Sequence, residues 1–205
     1  FFMLVGTVNA YNFMDGINGI TGLYSISVLL SLLWINSTVN FIDDKIIVLT
    51  LLSLLVFGFF NFRKKAKCFA GDIGSISLAF IISYLIINLI VQTGNYSYVL
   101  FLLIYGLDAA TTLLFRIFRR ENIFEAHRSH FYQYLANERK WPHLNVSLTY
   151  AIAQLLINVL LVLIAPLIIT GFQSLSFVAI IAFLIGIIVV FLRLKIEGKE
   201  RLLLY

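Results

Sequence analysis

The stretch LSFVAIIAFLIGIIVVFL, residues 175–192, carries no charged side chain along its whole length. A helix needs roughly 20 apolar residues to cross a hydrocarbon core about 30 Å thick, and this run is close to that length. Comparable apolar runs lie near residues 20–35, 46–60, 76–92, 99–115 and 148–166. None shows the alternating polarity of a membrane β-barrel strand. The sequence therefore predicts an all-α polytopic membrane protein with about six full transmembrane helices and a partial one at the N-terminal end.

Composition supports the same class. The chain is 61% hydrophobic and 12% charged, whereas a soluble domain is nearer half apolar and a quarter charged. A single cysteine, Cys68, excludes an internal disulfide framework and a multi-cysteine metal site. The apolar segment Phe1 to Val8 resembles the tail of a further span. We therefore expect residues 1–205 to be the C-terminal portion of one multi-pass domain whose N-terminal part is missing.

Basic residues predict the orientation in the membrane. They cluster in the loop after the second span, the loop after the fourth and the tail, while Lys45 alone lies on the other side, beside Asp43 and Asp44. By the positive-inside rule the clustered side is cytoplasmic. The net charge of +5 then reflects membrane topology, so we expect no nucleic-acid partner.

Three polar segments interrupt the apolar chain. The first motif is residues 9–20, the second is residues 69–75 and the third is residues 126–130. An even number of spans separates each from the next, so all three are predicted to lie at the cytoplasmic face. Polar and ionisable residues in an apolar chain are candidates for function, because they are costly beside lipid.

The first two motifs allow two interpretations each. Asn12, Asp15 and Asn18 supply hydrogen-bonding groups beside Gly16, which lets the backbone approach a ligand; the same residue types are also ordinary helix caps. Asp72 precedes a span, where it could cap the helix or bind a divalent cation. Magnesium commonly takes one or two carboxylates and completes its shell with phosphate oxygens.

The last spans add an intramembrane acid and a histidine-rich loop. Asp108, Thr112, Arg116 and Arg119 share one helix face, which indicates either a structural Asp–Arg pair or a functional acid. In the third motif, Arg128 could bind phosphate, and His127 and His130 could offer imidazoles. Solvated loop histidines are the other interpretation.

In order, these segments resemble the polyprenyl-phosphate N-acetylhexosamine-1-phosphate transferase family, also classed as glycosyltransferase family 4. The family pattern N-A-x-N-x-x-D-G-x-D-G-L occurs as NAYNFMDGINGI at residues 9–20, and F-x-G-D-x-G-S occurs as FAGDIGS at residues 69–75. The stretch from Asp108 through EAHRSH at residues 125–130 is similar to the branch that initiates O-antigen chains.

The resemblance implies transfer of an N-acetylhexosamine 1-phosphate from a UDP-sugar to undecaprenyl phosphate, with release of UMP. It also implies a bacterial inner-membrane location, Mg²⁺ as cofactor with Mn²⁺ as a substitute, and a homodimer as a candidate assembly. Asp15 and Asp72 would be catalytic, with Asp72 the magnesium ligand. The nucleotide-sugar would be bound by Asn12, Asp15, Gly16, Asn18, Arg128 and His130.

The sequence departs from the family pattern at three places. The early acidic D-D motif is absent, so we expect the chain to be inactive alone. Asn18 replaces a common Asp, and His130-Phe131-Tyr132-Gln133 keeps one histidine of an H-x-H-H pattern. Two alternatives remain: a transporter or lipid flippase that uses Asp108, and a CDP-alcohol phosphotransferase. The second lacks its D-G-x-x-A-R continuation after Gly16.

Overall fold

The computed structural model describes residues 1–123, 125, 128–164 and 170–203, and these contain helices and no strand. The α-helices are α1 (Phe2–Met14), α2 (Ile20–Val39), α3 (Asp44–Asn61), α4 (Gly71–Thr93), α5 (Leu103–Phe118), α6 (Phe131–Gln133), α7 (His143–Ile164), α8 (Phe172–Glu197) and α9 (Lys199–Leu203). A 3₁₀-helix (Tyr96–Leu102) leads into α5, and a π-helix (Tyr134–Glu138) follows α6.

Within the described residues, six segments are long and apolar enough to span a membrane: α2, α3, α4, the continuous Tyr96–Phe118 helix, α7 and α8. The prediction of six spans is confirmed, with observed helices a few residues longer than the apolar runs. The ends lengthen because polar residues can finish a helix at the membrane surface. Asp43, for example, accepts a hydrogen bond from the Lys45 N–H at 2.9 Å and so caps α3.

The centre of the bundle is α2, which packs on α7, α3 and α4, while α1 packs on α4 and α5. Helix α8 lies outermost, and its buried residues are only Ser174, Arg193 and Glu197. A long helix that is apolar on all sides, and that the rest of the protein leaves largely uncovered, is suited to contact with lipid. The buried side chains of Arg193 and Glu197 show that α8 packs against the rest of the protein near its C-terminal end.

The span that contains Asp108 changes helix type, from a 3₁₀-helix to the α-helix α5. At the junction of the 3₁₀-helix with α5, the Gln154 side chain from α7 accepts from the Ile104 N–H at 2.9 Å and donates to the Leu100 carbonyl at 2.9 Å. Backbone groups at membrane depth need protein partners because lipid offers none. Gln154 thus supplies the hydrogen bonds that the change of helix type leaves open.

Candidate functional site

The first and second motifs meet where the C-terminal end of α1 faces the N-terminal end of α4. The Asn12 amide donates to Asp72 Oδ1 at 2.9 Å. Thr21 Oγ1 donates to Asp15 Oδ1 at 2.7 Å, and the Gly71 backbone acts on the same carboxyl by lowering its pKa. Two segments 60 residues apart thus form one polar cluster, and an exposed carboxylate, Asp72, stands at its surface.

Asp15 is the half-buried acid of this cluster, and its pKa is shifted. Partial burial raises the pKa of its carboxyl above the usual range, and the nearby Asp72 charge raises it further, against the lowering effects of the Thr21 hydrogen bond and the Gly71 backbone. Both effects disfavour the ionised form. A cation placed beside Asp15 and Asp72 would relieve the repulsion, so the electrostatics of the pair fit a positively charged ligand.

The chain directly after the third motif locks onto the first motif. Tyr132, which is fully buried, donates its hydroxyl to the Phe13 carbonyl at 2.9 Å. A Cβ at Gly16 would collide with the Tyr132 hydroxyl and would lie 3.1 Å from Tyr132 Cζ. The absence of a side chain at Gly16 therefore leaves room for the Tyr132 hydroxyl, whether or not Gly16 also contacts a ligand.

Asn18 points inward rather than toward the polar cluster. It is 6% exposed, and its amide nitrogen donates to the Arg63 carbonyl at 2.9 Å. Asn61 makes a matching link, because its Oδ1 accepts from the Gly19 N–H at 2.7 Å and its Nδ2 donates to the Cys68 carbonyl at 2.7 Å. These two amides tie the basic loop, residues 63–67, to the first motif. The nucleotide contact proposed for Asn18 stays a prediction, but its amide nitrogen already has a structural partner.

The third motif divides between a buried and an exposed residue. His130 is 3% exposed and lies with its Nδ1 3.2 Å from Asp108 Oδ1, while Arg128 is exposed. His127 is outside the described residues. His130 also lines a cavity of about 430 Å³ between α1 and α5, together with Asn9, Phe13 and Arg116. The cavity joins residues of the first and third motifs.

Of the two interpretations of Asp108, the structural pair with an arginine on the same helix face is not formed. Arg116 binds Glu121 through Nε at 2.9 Å, and Arg119 binds the same carboxylate at 2.6 Å. The acid at position 108 instead faces His130 and α7. Helix periodicity gives the face shared by Asp108 and Arg116, but it does not show that Glu121, in the turn after α5, binds both Arg116 and Arg119.

Among the described residues no group of three or more His, Cys, Asp or Glu side chains could hold a metal ion. Asp72 lies close enough to Asp15 for its charge to raise the pKa of the Asp15 carboxyl. A pair suits magnesium, which completes its shell with water and substrate phosphate oxygens; it does not suit a closed structural zinc site.

Sequence reasoning missed several side chains that build the site. They include Asn61, Thr21, Tyr150 and Arg193. Arg193 offered a signal, since a basic residue four positions before Glu197 at the end of an apolar run predicts an i,i+4 pair, and the two are bonded at 2.6 Å. Asn61 gave a weaker signal as an amide at the end of a span, directly before the basic loop.

The fold and the adjoining motifs define a multi-pass helical membrane protein with a polar site at one end of its bundle. Comparison with known proteins points to one family. Residues 1–90, a little under half of the chain, match the model of glycosyl transferase family 4. The matched region contains both the first and the second motif.

Curated relatives agree. The chain is 34% identical over 117 residues to a phospho-N-acetylmuramoyl-pentapeptide-transferase of Streptococcus thermophilus (strain CNRZ 1066), covering 55% of this chain and 32% of that protein. Proteins with the same description from Streptococcus suis (strain 05ZYH33) and Streptococcus mutans (strain ATCC 700610 / UA159) also match at 34% identity over 117 residues. The matched region is about a third of the length of these relatives.

Proposed function

We propose that the protein transfers an N-acetylhexosamine 1-phosphate from a UDP-sugar to undecaprenyl phosphate. An acceptor phosphate oxygen would attack the phosphorus bonded to the sugar, forming a diphosphate while the bond to UMP breaks and UMP leaves with the electron pair. The observation that carries the proposal is the cluster of Asn12, Asp15 and Asp72, where two separate motifs present carboxylates at one end of the bundle.

The cluster fits Mg²⁺, with Asp72 as its ligand and Asp15 beside it. A bound magnesium ion would supply charge neutralisation at the phosphate oxygens. Asp72 is exposed and so can be reached by a charged ligand. Asn12 donates to one Asp72 oxygen and thereby fixes the direction in which the carboxylate points. Asp15, which accepts a hydrogen bond from Thr21, supplies a second carboxyl group close to Asp72.

Cationic side chains would hold the anionic substrates. Lys64, Lys65 and Lys67 are exposed on the basic loop, which Asn18 and Asn61 tie to the first motif. Arg128 is also exposed, directly before the segment that locks onto Phe13. Charge that spreads over phosphoryl oxygens during transfer is stabilised by such positioned cations.

The finer assignments follow from the motifs. The EAHRSH sequence favours an O-antigen-like initiating transferase that uses a UDP-N-acetylhexosamine, acts at the cytoplasmic face of a bacterial inner membrane and can pair as a homodimer. The relatives' description favours a second candidate, in which the transferred group is phospho-N-acetylmuramoyl-pentapeptide. The transporter alternative is less well supported, because five donors surround the Asp108 carboxylate and leave it little capacity to bind a passing substrate.

A transfer assay tests the proposal. Membranes that contain the protein expressed from its full reading frame are incubated with undecaprenyl phosphate, Mg²⁺ and a panel of radiolabelled UDP-N-acetylhexosamines and UDP-N-acetylmuramoyl-pentapeptide. We expect label in the lipid phase, with UMP released in equal amount, for at least one donor and no transfer after chelation with EDTA. Absence of lipid-linked product with every donor would contradict the enzyme proposal.

A further inference from the structure

Asp108 makes an unusually complete set of contacts for an acid inside a span. It is 3% exposed. Its Oδ1 receives hydrogen bonds from Thr112 at 3.2 Å and from the Phe131 N–H at 3.0 Å, and lies 3.2 Å from His130 Nδ1. Its Oδ2 receives them from the Tyr132 N–H at 3.3 Å and from the Tyr150 hydroxyl at 2.5 Å. A carboxylate has about four lone-pair sites, so its capacity is filled.

Three of these five partners, His130, Phe131 and Tyr132, lie at the end of the third motif or in the segment directly after it. The N–H groups of Phe131 and Tyr132 belong to the first turn of α6, where backbone donors have no partner within the helix. Asp108 therefore does for α6 what a capping residue does, but from a different helix. It fixes both the start of α6 and the orientation of the His130 ring.

The same segment carries the contact to the first motif. Tyr132, one of the two residues whose N–H binds Asp108, places its hydroxyl on the Phe13 carbonyl at 2.9 Å. The His130 and Phe13 rings lie with centroids 6.0 Å apart. A shift in α6 would therefore move His130 relative to both the first motif and the cavity that it lines.

The outermost helix supports this arrangement through Arg193. Arg193 of α8 donates to Thr112 Oγ1 at 2.8 Å, and Thr112 in turn binds Asp108. Arg193 also donates to the Ser129 carbonyl at 3.0 Å. The segment from Ser129 to Tyr132 is thus bound at two places. Asp108 of α5 accepts from the N–H groups of Phe131 and Tyr132, and Arg193 of α8 donates to the Ser129 carbonyl. Buried charges of this kind usually have partners, because an isolated one is costly in lipid.

We propose that Asp108 is a positioning residue, which acts through His130 and Tyr132 to hold the third motif against the first in the arrangement that receives the nucleotide-sugar. The proposal rests on the proposed function for its substrate. It assigns Asp108 no contact with substrate. The carboxylate is needed because two acceptor oxygens must serve donors from three directions: α5, α6 and α7.

The kinetic test compares Asp108→Asn, His130→Ala and their combination in the protein expressed from its full reading frame. The Asn amide presents donors to groups that themselves donate, so the loop should shift. We expect KM for the accepted UDP-sugar to rise by about tenfold or more, with KM for undecaprenyl phosphate changed less than about twofold. In the His130→Ala background the added effect should be below about twofold, since residues that act through each other are not additive. A fall in rate with both KM values unchanged would overturn the proposal.

A second measurement does not depend on activity. Trypsin cuts after exposed Arg128, and the Arg128–Ser129 bond adjoins the carbonyl that Arg193 holds. In detergent-solubilised protein, Asp108→Asn should increase cleavage at this bond by about fivefold or more, because cleavage follows local opening. Asp43→Asn is the matched control, since it makes the same substitution at the exposed cap of α3, where Asp43 binds the Lys45 N–H. Equal cleavage in the two variants would overturn the positioning role, even if wild-type protein showed no transfer.

Discussion

At the scale of single residues, the polar cluster depends on a few close packings. Gly16 is the clearest case, since Tyr132 occupies the space that any side chain at position 16 would need. A glycine of the first motif therefore serves packing between motifs. This contact joins the segment after the third motif to the first motif, and the Asn12–Asp72 hydrogen bond joins the second motif to the first.

Gly16→Ala should lower the free energy of unfolding by about 1–3 kcal/mol, because the new methyl group collides with the hydroxyl of buried Tyr132. Thermal unfolding of detergent-solubilised protein, followed by size-exclusion chromatography, measures the loss. In a Tyr132→Phe background the same change should cost less, since the colliding hydroxyl is gone. Gly106→Ala is the control, as no atom lies within 4 Å of a Cβ placed there; an equal loss in both would contradict the packing role.

Asp15 gives a pH dependence with a definite sign. Burial and the Asp72 charge raise its pKa in the folded state, above the value of about 3.9 for an unfolded chain. The folded state therefore binds the proton more tightly, and the contribution of Asp15 to stability is present at low pH and is lost as pH rises through the raised pKa. We expect Asp15→Asn to unfold at a higher temperature than wild type at pH 7 without Mg²⁺, with the difference shrinking near pH 4. A variant less stable than wild type at pH 7 in EDTA would contradict this electrostatic account.

At the scale of elements, sequence patterns predicted the membrane spans, but they did not predict the change of helix type within the span that contains Asp108. Six apolar runs were sufficient to find six helices, because lipid forces each one to satisfy its own backbone. The junction of the 3₁₀-helix with α5 was not predictable from residues 99–115. Its hydrogen bonds come from Gln154, which lies 50 residues further along the chain than the Ile104 amide that it serves.

Gln154→Leu should lower the free energy of unfolding by about 2–4 kcal/mol, because buried backbone groups at Ile104 and Leu100 lose their partner in a membrane-embedded joint. The glutamine is fully buried, and leucine matches its length without its polar atoms. The Gln173→Leu control changes an exposed glutamine at the start of α8. Similar melting temperatures for the two variants would show that the joint does not depend on Gln154.

At the scale of the whole molecule, the sequence predicted that the motifs share one side, and the contacts of Asn12 with Asp72 and of Tyr132 with Phe13 bring them together. The finer contacts depend on tertiary partners. Asp108 lies beside His130 rather than beside an arginine of its own helix face, and the Asn18 amide nitrogen donates to loop carbonyls. Helix periodicity gives the face on which a residue lies, but it does not give the element that packs against that face.

Orientation in the membrane is a whole-molecule prediction. Lys64 and Lys45 are exposed at opposite ends of α3, so a cysteine at each reports one side. In a Cys68→Ser background, a membrane-impermeant maleimide should label Lys45→Cys in intact cells and Lys64→Cys only after lysis, as the positive-inside rule requires. The reverse pattern would place the polar cluster outside the cytoplasm and contradict the proposed use of UDP-sugars.

The most direct measurement of the central claim is the initial rate of sugar-phosphate transfer by Asp72→Asn against that of Asp43→Asn, in membranes with equal amounts of protein. Both changes remove one exposed carboxylate at a helix start, and an asparagine can still cap α3 at position 43. We predict a loss of about 100-fold or more for Asp72→Asn, the order found when a charge-stabilising group is removed, and a rate near that of wild type for Asp43→Asn. Equal rates for the two variants would contradict the assignment of the site.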